Sequence, residues 1–198
     1  MSKIQVDTID TRSGTSTMQI GSTNTTTITL GVSGDTINVP SGVTIANAGT
    51  ATGFGDNTPA FQAYANSSLV AIANDTYTSI PCVNEYFDSD SAFNTSTYKF
   101  TPQTAGKYYV FANMVTDGNW NTSAFLMVQK NQGFNNDDLK RASTYASNEA
   151  GIFVGGIFTM NGSSDYIEAR VYQQSGGSLN LRNQGNENYF GGFFIMGA

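Results

Sequence analysis

The run from Lys107 to Val115, KYYVFANMV, is apolar on both faces of a strand. Side chains alternate along a strand, so Tyr108, Val110, Ala112 and Met114 share one face, and Tyr109, Phe111, Asn113 and Val115 the other. The same holds for AFLMV, where Phe125 and Met127 oppose Leu126 and Val128. It holds again for YFGGFFIM, where Phe190, Phe194 and Met196 oppose Tyr189, Phe193 and Ile195. One face of such a strand lines a sandwich core, and the other needs a cover of its own. No stretch of the chain has a helical period that would supply a covering helix. The remaining cover is another copy of the same sheet.

From Pro59 onward the chain reads as an antiparallel sandwich with Gly and Asn turns between short strands. The predicted strands are Ala60–Tyr64, Tyr77–Val83, Tyr98–Thr101, Lys107–Val115, Ala124–Lys130, Ile152–Met160, Tyr166–Tyr172, Ser178–Arg182 and Tyr189–Met196. Pro102 and Gly106 are read as turning a hairpin in which Tyr98 and Phe100 meet aromatics of the returning strand. Residues 131–148 are polar and read as a long surface loop, with NNDDLKR able to make one helical turn. In YIEARVY, Ile167, Ala169 and Val171 point inward. Tyr166, Glu168, Arg170 and Tyr172 form the other face, where aromatics beside an opposite-charge pair suit a subunit interface. The predicted interface thus comprises Tyr109, Phe111, Tyr166, Glu168, Arg170, Tyr172, Phe190 and Phe194.

Residues 1–56 differ in texture from residues 57–198. Apolar couplets two residues apart recur between Gly, Asn, Asp and Ser: Met18/Ile20, Ile28/Leu30, Ile37/Val39 and Val43/Ile45. Each couplet puts two side chains on one face of a short strand. One copy offers too little apolar surface to build a core. Several copies side by side, with Ile20, Ile28, Leu30, Ile37, Val39, Val43 and Ile45 facing a shared axis, give a trimeric, β-prism-like stalk. Five strands stacked at ~4.8 Å raise it only about 25 Å. The Gly-rich stretch from Thr50 to Pro59 is the joint.

Composition narrows the partners. The 198-residue chain carries a net charge of −6 and no run of Lys or Arg. Nucleic-acid binding rests on phosphate neutralisation, so DNA and RNA are disfavoured, as is an anionic membrane surface. The single cysteine, Cys82, lies in an apolar run, where a buried thiol is expected. It allows no intrachain disulfide, in keeping with folding in a reducing cytoplasm. MSKIQVDTID has no apolar core of a secretory signal, and GIFVGGIF is too short to span a bilayer.

With no histidine in the chain, Ser–His, Cys–His and His-metal chemistries are excluded. Asp137, Asp138, Asp165, Glu168 and Glu187 are the carboxylates available for glycoside hydrolysis, but nothing in their spacing sets two across a cleft. No cofactor is expected. DSDS (Asp88–Ser91) and NNDD offer oxygens to calcium, though DSDS lacks the Gly and closing Glu of an EF-hand. Trp120, in the polar run DGNWN, is a candidate receptor contact or a core cap.

Five ordered motifs carry a family resemblance. They are VNEYFD (83–88), FNTSTYKFTPQTAGKYYVFA (93–112), VQKNQG (128–133), GGIFTMNGSSDYIEARVY (155–172) and NYFGGFFIMGA (188–198). Together they resemble the globular head of the complement subcomponent one-q, in the tumour-necrosis-factor superfamily. That resemblance implies a trimeric jelly roll over the C-terminal part. Asn94 stands where the family has Asp, and NGSSD where it has Gly–Asp. The N-terminal MSKIQVDTI and ITLGVSGDTINVPSGVTI resemble openings of tailed-phage fibre and appendage proteins. The combination implies a structural virion protein, made in the host cytoplasm and assembled as a homotrimer. The N-terminal segment would dock on other virion proteins, and the head would bind a host surface glycan or protein. The alternatives are a capsid decoration or head fibre without receptor role, and a glycan-degrading tail enzyme.

Overall fold

The computed structural model describes residues 20, 24, 26–30, 33–43, 57–65, 70–117, 120–145, 149–182 and 187–197. The chain divides into two compact units, Met1–Ala51 and Thr52–Ala198. Among the described residues there is no helix.

The larger unit is an antiparallel sandwich. One sheet has five strands in the order β10 (Gly151–Asn161), β7 (Ala105–Val115), β13 (Tyr189–Met196), β1 (Ala60–Tyr64) and β4 (Asn84–Asp88). The other runs β5 (Phe93–Asn94), β6 (Lys99–Phe100), β11 (Ile167–Gln173), β8 (Ser123–Lys130) and β9 (Leu139–Tyr145), with β3 (Thr78–Ser79) also paired to β11. A small third ladder joins β2 (Val70–Ile72) to β12 (Leu179–Leu181). The jelly-roll sandwich read from the sequence is therefore the fold.

The alternation of β7 decides its packing. Tyr108, Val110, Ala112 and Met114 are each 0% exposed, and the odd-numbered set faces outward. Leu126 and Val128 of β8, and Ile167, Ala169 and Val171 of β11, close the core from the second sheet. At its centre Phe61 stacks on Phe100 at 4.3 Å and on Phe93 at 4.9 Å, and meets Phe190 edge-on at 4.9 Å. Each such ring contributes roughly 1.5–3 kcal/mol by burial. Cys82 is buried among them, and desolvation pushes its thiol up to about 12.

Two sequence expectations change. Phe100 and Tyr108 do meet, edge-on at 5.7 Å, but β6 and β7 lie in different sheets. The segment between them is an arch across the core rather than a hairpin. Gly106 is needed at its end, because a Cβ there would lie 2.5 Å from the Met196 carbonyl and from the Phe194 ring. The second change is β9, which occupies part of the predicted loop. It pairs with β8 along its whole length, with Ala142 opposite Leu126 and against the core. It is a polar edge strand whose inward Lys140 reaches the Phe158 ring. Inward charge is a device that keeps edges from pairing with other chains, and it hides the strand from apolar patterning.

The smaller unit has described residues 20, 24, 26–30 and 33–43, and no ladder pairs any of them. Pro40–Val43 forms a β-turn closed by Val43 N–H donating to Pro40 O at 3.2 Å. Gly42 takes the positive φ (+85°) that a type II turn requires. Ile20, Ile28, Leu30, Ile37, Val39 and Val43 are 41–63% exposed. Among the described residues none pairs with them as a strand, and none of them is buried. Ile45 lies outside the described residues.

Candidate functional site

The outward face of the five-stranded sheet is the site. Residues directly opposite in a ladder share a face. Tyr109 lies between Ile157 and Phe193, Phe111 between Gly155 and Gly191, and Asn113 between Phe153 and Tyr189. β1 continues the face with Gln62 opposite Gly191 and Tyr64 opposite Tyr189, and β4 with Phe87 opposite Gln62. The rings form a connected layer: Tyr109–Phe193 at 5.8 Å, Tyr109–Phe111 at 6.1 Å and Phe111–Phe153 at 6.1 Å. Phe153, Ile157, Phe87 and Tyr86 are each more than half exposed.

Two glycines shape this layer. A Cβ on Gly191 would lie 2.7 Å from the Phe111 ring, and one on Gly155 would lie 2.5 Å from the Tyr109 hydroxyl. The aromatic side chains occupy the space that neighbouring side chains leave empty, so they lie across the sheet. Among the described residues, Lys107 is the sole charged side chain on the outward face of β7 and β10. The face is thus broad, apolar and open among the described residues.

The second sheet's outward face is already covered. Tyr77, just before β3, stacks on Tyr172 at 4.7 Å and meets Phe134 edge-on at 5.4 Å. The Arg170 guanidinium lies 5.2 Å from the Tyr77 ring centre, and that of Arg141 lies 4.9 Å from Phe125. Beneath them Met127 and Glu168 are buried. Glu168 accepts from Ser79 Oγ at 2.8 Å. Arg170 donates to Gln129 Oε1 and to Tyr77 O, both at 3.1 Å. Tyr172 donates to Asp75 Oδ1 at 3.0 Å, which raises the phenol and helps hold Asp75 below the usual carboxylate range, after the larger effect of Gln174. Tyr166 lies under Lys99 Nζ at 3.8 Å.

The sequence-predicted interface residues therefore separate into three groups. Tyr109 and Phe111 lie together on the open face. Tyr166, Glu168, Arg170 and Tyr172 are engaged by their own chain: Lys99 lies over Tyr166, Ser79 donates to Glu168, and Tyr77 lies against Arg170 and Tyr172. Phe190 is 1% exposed in the core, and Phe194 packs against that core beside Tyr108. The open set on β13 is Tyr189 and Phe193. Alternation alone cannot say which of two apolar faces is the inner one. The flanking glycines, small on the same face as Phe111, were the available signal.

Trp120 is a core residue, 1% exposed, with Nε1 donating to Asn180 O at 3.1 Å. It is not presented to a receptor. Most of the candidate carboxylates serve structure. Asp138 pairs with Lys130 at 2.9 Å, and that hydrogen bond holds it below the usual range. Asp165 accepts from Asn131 Nδ2 at 2.7 Å and from Asn161 N–H at 2.9 Å. Glu187 pairs with Arg182 at 3.2 Å. In the DSDS segment Asp88 caps the backbone N–H groups of Ala92 and Phe93 at 3.1 and 2.9 Å. In NNDD, Asn135 Oδ1 accepts from the N–H groups of Asp137 and Asp138 at 3.0 and 2.9 Å. Among the described residues no three His, Cys, Asp or Glu side chains gather as metal ligands.

Comparison with solved structures places the fold. The chain is similar to the globular domain of zebrafish complement 1qA protein, with a TM-score of 0.51 and 16% identity over 71% of this chain and 98% of that one. It is also similar to murine APRIL, with a TM-score of 0.53 and 10% identity over 69% of this chain and 98% of that one. At such identities the likeness is one of fold. No family model and no curated protein matches the chain.

Proposed function

We propose that this chain is a structural virion protein of a tailed bacteriophage, a homotrimer that acts by binding rather than by catalysis. Its N-terminal segment attaches to other virion proteins, and its jelly-roll head meets a host surface component. The observation that carries the assembly is the open aromatic face of β10, β7 and β13. Aromatic surface with almost no charge is the composition of an obligate interface core. The exposed couplets of the N-terminal unit make the same demand: three copies give Ile28, Leu30, Ile37 and Val39 a shared axis. The phage setting is supported by the resemblance of the N-terminal segment to fibre and appendage openings.

Light scattering on the purified chain tests the assembly, with a mass of three chains expected; a monomer at micromolar concentration sinks it. Immunogold labelling of virions with an antibody to the head tests the setting. Label on the tail favours host attachment. Label on the capsid favours the second reading, a decoration or head fibre without receptor role. A glycan-degrading activity would appear as loss of polymer length when the protein is incubated with host polysaccharide.

A further inference from the structure

The covered face of the second sheet carries more than a cover requires. Phe134 is 59% exposed and Tyr77 38% exposed, with their rings edge to face. An exposed ring is tolerated singly, but this one follows a well-defined turn. Asn131 and Gln132, preceding it, both sit at positive φ, +50° and +56°, the central pair of a tight hairpin turn closed by Gly133 N–H donating to Lys130 O at 2.8 Å. The loop is pinned on both sides. Lys130 pairs with Asp138, and Asn131 Oδ1 accepts from Tyr166 N–H at 3.0 Å. Gln129 Nε2 donates to Gly133 O at 2.8 Å. Rigid presentation of an aromatic lowers the entropy cost of binding.

The surroundings of the rings are polar and nearly balanced in charge. Tyr172, stacked on Tyr77, leads to Asp75, which also accepts from Gln174 Nε2 at 2.9 Å and Asn74 Nδ2 at 2.7 Å. Beneath them lie two hydrogen-bonding atoms without a partner, Arg170 Nε and Glu168 Oε1. Glu168 is only 2% exposed, and a buried acceptor left unmet is costly. One needs an acceptor and the other a donor. A hydroxyl group is both.

We propose that Tyr77 and Phe134 form a platform for a neutral saccharide, with Asp75, Asn74 and Gln174 at its rim. Apolar C–H faces of a sugar stack on the rings, and its hydroxyls meet the rim. This rests on the reading of the head as the part that binds a host surface. The test is saturation-transfer NMR of the full chain against methyl glycosides of glucose, galactose, mannose, N-acetylglucosamine and N-acetylgalactosamine. Saturation of at least one glycoside is expected. It should fall at least tenfold in Phe134→Ala, with melting temperature and assembled mass unchanged, and persist in Tyr145→Ala, an exposed ring on β9. No transfer to any glycoside, or transfer indifferent to Phe134→Ala, overturns the platform. Binding of labelled chain to host cells separates this from the wider reading. Loss after periodate oxidation supports a saccharide. Loss after protease treatment alone overturns the saccharide but keeps host binding, and no binding to cells sinks host attachment itself.

Discussion

On the outward face of β8 and β11, the rings of Phe125 and Tyr172 are met by arginines and by Tyr77, all from the same chain. On the outward face of β7 and β13, the rings of Tyr109, Phe111 and Phe193 touch one another and the glycines between them. Among the described residues, Phe153 and Tyr189 of the same sheet also meet Phe111, and no cation or ring from outside the sheet stacks on them. The contrast lies in the neighbours. Long side chains next to a ring, and a segment long enough to fold back, close a face from within. Glycine neighbours leave a ring lying across the sheet, and the resulting broad apolar surface fits a second protein surface. The same aromatic content thus gives a self-covered face in one sheet and an open apolar face in the other.

The strongest way to break this contrast is to charge the two faces in turn. Phe111→Glu with Phe193→Glu places carboxylates in the proposed interface, where an unpaired buried charge costs roughly 3–5 kcal/mol. The trimer is expected to dissociate by light scattering while the circular dichroism stays that of a β-sandwich. Tyr145→Glu, on the other sheet, is expected to leave the mass unchanged. Equal loss of assembly from both would show that the two faces do not differ.

A second test acts on the glycines. Gly191→Val puts a branched side chain where a Cβ alone already lies 2.7 Å from the Phe111 ring. Overpacking of this kind costs about 1–3 kcal/mol, read as a lower melting temperature together with weaker assembly. Gly177→Ala is the control, since a Cβ there meets nothing within 4 Å. An unaltered Gly191→Val protein would mean that the ring is free to move and that the glycine does not set its position.

Much of the fold is legible in the sequence because strand alternation is a local signal. The strands Lys107–Val115 and Tyr189–Met196, and the two sets of side chains on each, follow from it directly. What is not legible depends on residues distant in sequence. Tyr77 closes over Tyr172, nearly a hundred positions away, and no periodicity announces that contact. The arch from Phe100 to Tyr108 reads like a hairpin because turn residues mark a reversal without marking a change of sheet. Strand β9 is missed because its inward residues are Lys140, Ala142 and Thr144, a polar pattern proper to an edge. Trp120 sits in a polar run yet fills the core, since local composition does not show burial. Of the candidate interface, alternation groups the rings of β7 and of β13 by face but leaves two apolar faces to choose between on each.

Removal of the cover is a milder change than charging the open face. Tyr77→Ala takes away one partly exposed ring and its stacking with Tyr172, with an expected cost of about 1–2 kcal/mol. The loss should appear in denaturant unfolding of the head and leave the assembled mass intact. If Tyr77→Ala dissociates the protein instead, the second sheet also takes part in the contact between chains.

The smallest expected difference is in the response to acid. Asp138, hydrogen-bonded to Lys130, is held below its ordinary value of 3.8, and the pair anchors the loop that presents Phe134. A carboxylate with a depressed folded pKa contributes stability that is present above the unfolded value and is lost as pH falls through the folded one. The pair is partly exposed, so its contribution at neutral pH is at most about 1 kcal/mol. As pH falls from about 3.8, amide exchange in the 131–138 loop should therefore speed up before exchange in β7 does. Asp138→Asn should show the faster loop exchange already at pH 7 and remove its acid dependence. The outward residues of β7 and β10 include no carboxylate, so these two strands have no such group to lose on the open face. If β7 and the loop open together on acidification, the two faces are coupled, and the cover on the second sheet would have to be counted as part of the same cooperative unit as the open face.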